Sequence, residues 1–190
     1  MEFIKKLEVW FVVGSQHLYG SEALLQVRNN AEQITDYLNQ QHPFIQIKLK
    51  NVATTPDEIL SICQSANNTD CCAGIIAWMH TFSPSKMWIA GLSQLNKPLA
   101  QFHTQFNQNI PWDSIDMDYM NLHQTAHGDR EFGFLAARLR KPRTIIVGHW
   151  QSEMVQQKLD RWMRVVAAIY DQKHLKIARF GDNMREVAVT

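Results

Sequence analysis

Six short runs of β-branched and apolar residues, at about 8–13, 44–49, 74–79, 98–102, 144–148 and 175–179, read as β-strands. Several are apolar on consecutive positions rather than on alternate ones, the pattern of strands covered on both faces. Helical periodicities lie between them. Leu24, Val27, Ala31, Ile34 and Leu38 recur at steps of three and four and make one buried stripe. Thr55-Pro56-Asp57-Glu58 is a strong helix start: Thr55 can cap, Pro56 loses nothing at the first helical position, and Glu58 stands where a capping box needs it. Ser83-Pro84 predicts the opening of a third helix and 131–140 a fourth, although Gly133 weakens it. Val155, Leu159, Trp162, Met163 and Val166 mark a fifth. Strands alternating with helices in this order predict an α/β fold, a parallel sheet flanked by helices.

Two segments do not fit a single compact unit. Residues 104–129 form a polar stretch longer than the roughly 12–15 residues of an ordinary connection, so it is functional or holds structure of its own. Near the end, the residues from Phe180 to Thr190 begin a new apolar pattern with no later element to pair with it. The expected division is therefore an N-terminal α/β domain over 1–172 and the start of a second, central domain over 173–190.

Composition narrows the function classes. The 190 residues carry 19 Lys and Arg against 18 Asp and Glu, a formal net charge of +1, which argues against a broad nucleic-acid surface. No apolar run approaches the ~18 residues of a membrane span. The first residues resemble a signal n-region only faintly, because Glu8 interrupts the apolar stretch and no small-residue cleavage site follows. Three cysteines, Cys63 and the adjacent Cys71 and Cys72, make no disulfide framework, so a reducing, cytoplasmic compartment is expected.

In open parallel sheets ligands bind beyond the carboxyl ends of the strands. The residues just past the proposed strands are Gly14-Ser15-Gln16-His17-Leu18-Tyr19-Gly20, His80-Thr81-Phe82, His103-Thr104-Gln105-Phe106 and His149-Trp150-Gln151. Four of the eight histidines stand there among Gln, Thr, Tyr and Trp, with almost no Lys or Arg. Neutral groups that both donate and accept suit a polyol or sugar better than an anion. Gly14 and Gly20 lack the spacing of a phosphate loop and fit an ordinary turn. His123 and His127 are four apart, a metal-ligand spacing, with Asp129 and Glu131 as candidate third ligands, but hydrogen-bonding histidines fit the spacing better. Ser15 beside His17 lacks the nucleophile-elbow pattern. Cys71-Cys72 reads as buried bulk. Trp112, in the long polar stretch, is a candidate contact for a partner.

These motifs have a family resemblance. Residues 8–20, His80-Thr81-Phe82-Ser83-Pro84, the stretch from Gln101 to Asp118, Gln124-Thr125-Ala126-His127-Gly128, Val147-Gly148-His149-Trp150 and residues 179–190 closely resemble bacterial L-arabinose isomerases, over essentially the whole chain. The resemblance implies a flavodoxin-like, or Rossmann-like, three-layer αβα domain. It implies an enzyme that interconverts L-arabinose and L-ribulose, also accepts D-galactose (giving D-tagatose), uses manganese, and assembles as hexamers built from trimers, with no nucleic-acid or membrane partner. The family's metal-binding and proton-transferring glutamates and histidines come from a later part of the chain, and no position here matches them. The resemblance therefore implies no catalytic residue, no metal ligand, no bound cofactor and little or no activity for these residues alone. It implies substrate contacts reached across a subunit boundary: Gln16, Leu18 and Tyr19 in the first loop, Gln124 and His127, and Met184. It assigns no roles to His17, His80, His103 and His149. A non-catalytic sugar-binding or assembly module is the alternative, and a small metal-dependent enzyme using His123 and His127 a weaker one.

Overall fold

A computed structural model describes residues 6–173, 175–178 and 180–181. Five strands, β1 (Glu8–Val13), β2 (Gln46–Leu49), β3 (Cys72–Trp78), β4 (Leu99–His103) and β5 (Thr144–Val147), form one sheet in the order β2-β1-β3-β4-β5. Every pairing is parallel. This is the flavodoxin-like order, in which the direction of strand addition reverses between β1 and β3. The α/β expectation and its first five strands agree with the structure, with ends shifted by at most two residues.

Alternation along the buried strands explains the two layers that cover them. Val9, Phe11 and Val13 of β1 point to one face, where they meet Val27, Ala31, Ile34 and Leu38 of α1 (Gly20–Gln41) and Val155, Leu159 and Trp162 of α6 (Glu153–Gln172). Trp10 and Val12 point to the other face, toward Ile59 and Cys63 of α2 (Pro56–Asn68), Leu92 of α3 (Ile89–Gln94) and Phe132 of α5 (Thr125–Arg138). All seven residues of β3 are buried, as expected of the strand at the centre. The two periodic stripes read from the sequence are the buried faces of α1 and α6.

The start of the fourth expected helix and the sixth strand are corrected. The long polar stretch holds structure of its own, one of the two alternatives expected for it: a short helix, α4 (Met117–Leu122), capped by the Asp116 carboxylate, which accepts from Tyr119 N–H at 2.8 Å. It also holds the first turns of α5, which begins at Thr125, six residues before the expected helix. Helical apolar periodicity is missing there because α4 buries no residue completely. The sixth strand is not formed: 175–178 carry no strand, Ile177 is 84% exposed, and 179 lies outside the described residues. An apolar run with no covering layer gains nothing from extending. The third helix opens as a 3-10 turn, Ser85–Trp88, before α3.

The capping box of α2 is present as read. Thr55 Oγ1 accepts from Glu58 N–H, and the Glu58 carboxylate accepts from the backbone N–H of Thr54 and of Thr55 at 2.8 and 3.1 Å. Replacing Thr55 with Ala removes the first of these bonds and is expected to cost about 1 kcal/mol of unfolding free energy, measured by urea denaturation.

Candidate functional site

The carboxyl edge of the sheet collects the loops after β1, β3, β4 and β5. Two glycines decide how closely they approach. A Cβ on Gly14 would lie 2.9 Å from the Trp88 ring, so only glycine lets the loop after β1 sit against the segment after β3. A Cβ on Gly128 would lie 2.9 Å from Met79 Cβ, so glycine there lets the start of α5 rest on the end of β3. Ser15 is buried and its hydroxyl pairs with Thr81 Oγ1 at 2.7 Å, tying the two loops together. His17 pairs with Thr54 Oγ1 at 2.9 Å. Ser15 and His17 therefore do not form a nucleophile pair.

Two depressions open on this edge and share Tyr119 as a wall. The first is lined by Leu18, Tyr19, Glu22 and Gln26 from the β1 loop and α1, and by Asp118, Tyr119 and Asn121 from α4. Leu18 is 82% exposed. Gln124 donates to Asn121 Oδ1 at 3.2 Å, so it borders this depression. His127 lies one helical turn further along, stacked on Phe82 with ring centroids 4.3 Å apart and 3.9 Å from Glu131 Oε1. Gln16 is half-buried at the start of the loop. Of the six residues the family resemblance names, the structure brings Leu18 and Tyr19 to one depression and holds Gln124 against its wall through Asn121. It leaves Gln16 and His127 on the same edge, outside that lining, and Met184 lies outside the described residues.

The second depression, about 420 Å³, lies beyond the ends of β4 and β5. Its walls include His103, Gln105, Asn107, Tyr119, His123 and His149, and no Lys, Arg, Asp or Glu lines it. Buried ring N–H groups hold its rim. Trp78 Nε1 donates to Thr104 O at 2.8 Å, and Trp150 Nε1 donates to Phe106 O at 2.8 Å. The Gln105 amide donates to His123 O at 3.3 Å, fixing the end of α4.

Behind both lies a buried polar layer that keeps its imidazoles neutral. His80 is fully buried, stacked on Trp78 at 4.2 Å and paired with Asn30 Nδ2 at 2.9 Å, while Asn30 Oδ1 accepts from Gln26. With Asn30 donating, Nε2 of His80 accepts and its proton sits on Nδ1. Burial lowers the His80 pKa to about 3, with a smaller push from His123, and burial also lowers those of His103 and His123. Asp129 is the reverse case. Its side chain is buried, Gln101 Nε2 donates to Oδ1 at 3.0 Å, and burial raises its pKa to about 7. His103 Nδ1 stands 3.9 Å from Asp129 Oδ2, an ion-pair distance, yet burial drives both groups toward their neutral forms. Burial decides here, because 3.9 Å is too long for the hydrogen bond that would offset desolvation.

The metal spacing of His123 and His127 does not survive folding. His123 closes α4, His127 stands in the first turn of α5, and the helix breaks between them. Among the described residues no three of His, Cys, Asp and Glu come together to hold a metal ion. Cys63 and Cys72 are buried, and burial pushes both thiols up to about 11, so they are packing groups. Trp112 is 77% exposed. No helix among the described residues is long and apolar enough to cross a membrane. Sequence reasoning missed Tyr119, since α4 was hidden in the polar stretch, and Asn30, whose place on the buried stripe of α1 was readable.

Asp129 makes stability depend on pH in a defined direction. Its folded pKa lies above the unfolded one, so the unfolded chain releases the proton first and stability falls as pH rises from about 4 through 7. The unfolding free energy of the native chain minus that of Asp129→Asn is expected to shrink over this window by on the order of 3 kcal/mol, read from urea titrations. His80 titrates in both proteins and cancels from the difference, whereas His103, 3.9 Å from Asp129, is coupled to it and contributes to the difference.

A family model described as the L-arabinose isomerase N-terminal domain matches residues 3–174. The L-arabinose isomerases of Mannheimia succiniciproducens and Actinobacillus succinogenes are 79% and 78% identical to the chain over 190 residues. That of Tolumonas auensis is 61% identical over 191 aligned positions. Each alignment covers 100% of this chain and 38% of the relative, so the chain spans well under half the length of the curated relatives it matches.

Proposed function

The chain belongs to the family of the L-arabinose isomerase N-terminal domain, and on that premise we propose that it supplies sugar contacts and subunit contacts to an aldose–ketose isomerase. The substrates are L-arabinose, converted to L-ribulose, and D-galactose, converted to D-tagatose, in the cytoplasm. The observation that supports the reading is the placement of Leu18 and Tyr19 in one depression on the carboxyl edge, with Gln124 bonded to its wall residue Asn121. Hydroxyl and amide groups of this kind donate to and accept from sugar hydroxyls, and the Leu18 and Tyr19 side chains cover C–H faces. Met184, outside the described residues, is the sixth sugar contact in this proposal, assigned by the family resemblance alone.

Moving a carbonyl from C1 to C2 requires a base beside a carbon acid and a group that polarises two oxygens. The residues here hold and orient the sugar, and orientation contributes only part of such a rate. The described residues do not fit the manganese that the family resemblance implies, since no three potential ligands converge. The metal and the proton-transferring groups belong to the remaining length of the isomerase, and the residues here without them have little or no activity. Trp112 and the apolar Ile145 and Val147 on edge strand β5 are exposed, which supports a homo-oligomer, trimeric or hexameric as in the family, with the depression completed by a neighbouring copy.

A chimera tests this. When these 190 residues replace the matching segment of the Mannheimia isomerase, the product is expected to convert L-arabinose with added manganese, whereas the 190-residue chain alone yields no ketose above background. In the chimera, Tyr19→Ala is expected to lower kcat/KM about tenfold by removing one substrate contact. Turnover by the 190-residue chain that a chelator abolishes, or a chimera indifferent to Tyr19→Ala and Gln124→Ala, would contradict the reading.

A further inference from the structure

We propose that the depression beyond β4 and β5 is a binding site for a neutral polyhydroxylated ligand, in which His103, positioned by buried Asp129, bonds a ligand hydroxyl. This goes beyond the reading above, which concerns the β1 loop and the start of α5, and takes from it only the choice of probe.

Three observations converge. The volume, about 420 Å³, lies within the range of small-molecule sites. The lining is polar but uncharged: imidazoles, the amides of Gln105 and Asn107, and the Tyr119 phenol, with Ile115 and Met120 supplying apolar surface. A phosphate or carboxylate would find no cation in it, and an ammonium ion no anion. Finally, the site contains or abuts buried polar atoms with no partner. Gln105 Oε1 and His123 Nδ1 are such atoms, buried on residues that line it, and Asp129 Oδ2 is a third, behind His103. Asp129 is only 2% exposed. Unpaired buried polar atoms are uncommon in folded proteins, and several beside one depression mark where a polar guest completes the bonding.

The arrangement behind His103 is built in depth. Arg143 Nε donates to Gln101 Oε1 at 2.8 Å, and Gln101 Nε2 donates to Asp129 O and Oδ1. Asp129 Oδ1 is thus occupied, and Oδ2 is left 3.9 Å from His103 Nδ1. The proposed binding requires the half-exposed ring to close that gap when the ligand enters. With Nδ1 then bonded to Asp129, Nε2 is the nitrogen left for the ligand. His149 does not play this part: its Nε2 donates to Phe106 O, and its Nδ1 accepts from Gln151 N–H.

Imidazole nitrogen NMR of the histidine-labelled 190-residue protein at pH 8 tests the proposal, with each ring assigned by a His→Gln variant. L-arabitol, a neutral pentitol, is expected to shift the His103 and His123 signals saturably, and His103→Gln to weaken its affinity about tenfold. Asp129→Ala is expected to move His103 away from the Nδ1-protonated tautomer and to weaken binding, a spectral change that loss of packing alone would not cause. D-ribose 5-phosphate is expected to bind no more tightly than L-arabitol. Silence of His103 and His123 at the highest soluble L-arabitol concentration would overturn the site, as would an unchanged affinity in His103→Gln. Tighter binding of the phosphate would overturn the neutral-ligand assignment. Shifts confined to His127 would overturn this site while leaving the reading of the α5 edge intact. Shifts at His103 and His123 alone would support this site and leave that reading to the chimera.

Discussion

The central strand stays buried past the end of its own ladder. β3 is covered on both faces along its whole length, and Met79, His80, Thr81 and Ser83 remain buried after it. A polar residue in that position is driven to its neutral form and bonds inside the protein where it can. His80 stacks on Trp78 and accepts from Asn30 at Nε2, while its buried Nδ1 has no hydrogen-bond partner among the described residues. The loops around it are set by the same demand, since Ser15 pairs with Thr81 and the Trp78 indole takes a loop carbonyl after β4. The first loop and the start of α5 have glycine where the approach is tightest, at Gly14 and Gly128.

That constraint gives the carboxyl edge its chemistry. Desolvation lowers the pKa of His80, His103 and His123 together and raises that of Asp129, so the layer under the edge favours uncharged groups. Above it, the depression beyond β4 and β5 is lined by neutral donors and acceptors alone, while the one at the β1 loop, joined to it at Tyr119, also carries Glu22 and Asp118. A surface of this kind is suited to hydroxyl groups and poor at proton abstraction from carbon, which needs a basic group exposed to the reacting atom. The burial of the sheet thus accounts for imidazoles held neutral beneath this edge.

Much of this was legible in the chain. Consecutive apolar positions in the strands announced a sheet covered on both sides, and the stripes over Leu24–Leu38 and Val155–Val166 announced the layer that α1 and α6 form. Thr55 and Glu58 announced their capping box. The histidines, amides and hydroxyls just past the strand ends announced a neutral edge. The segment from 104 to 129 was not legible, because α4 is held by the Asp116 cap and by the Gln105 bond to His123 O, with no buried apolar stripe. For the same reason His123 and His127, regularly spaced in sequence, separate at a helix break. The pairing of His103 with Asp129 joins residues on β4 and α5 that no local pattern connects.

The proposed sugar binding at that edge depends most directly on the neutrality of its imidazoles. The sharpest test is a pH titration of the imidazole nitrogens of the native chain between neutrality and pH 5. His80 is expected to stay neutral throughout, in a single tautomer protonated at Nδ1, and His103 and His123 to titrate below the ordinary histidine range of about 6.5. An imidazolium signal from His80 in that window, or midpoints for His103 and His123 above the ordinary range, would contradict a neutral edge.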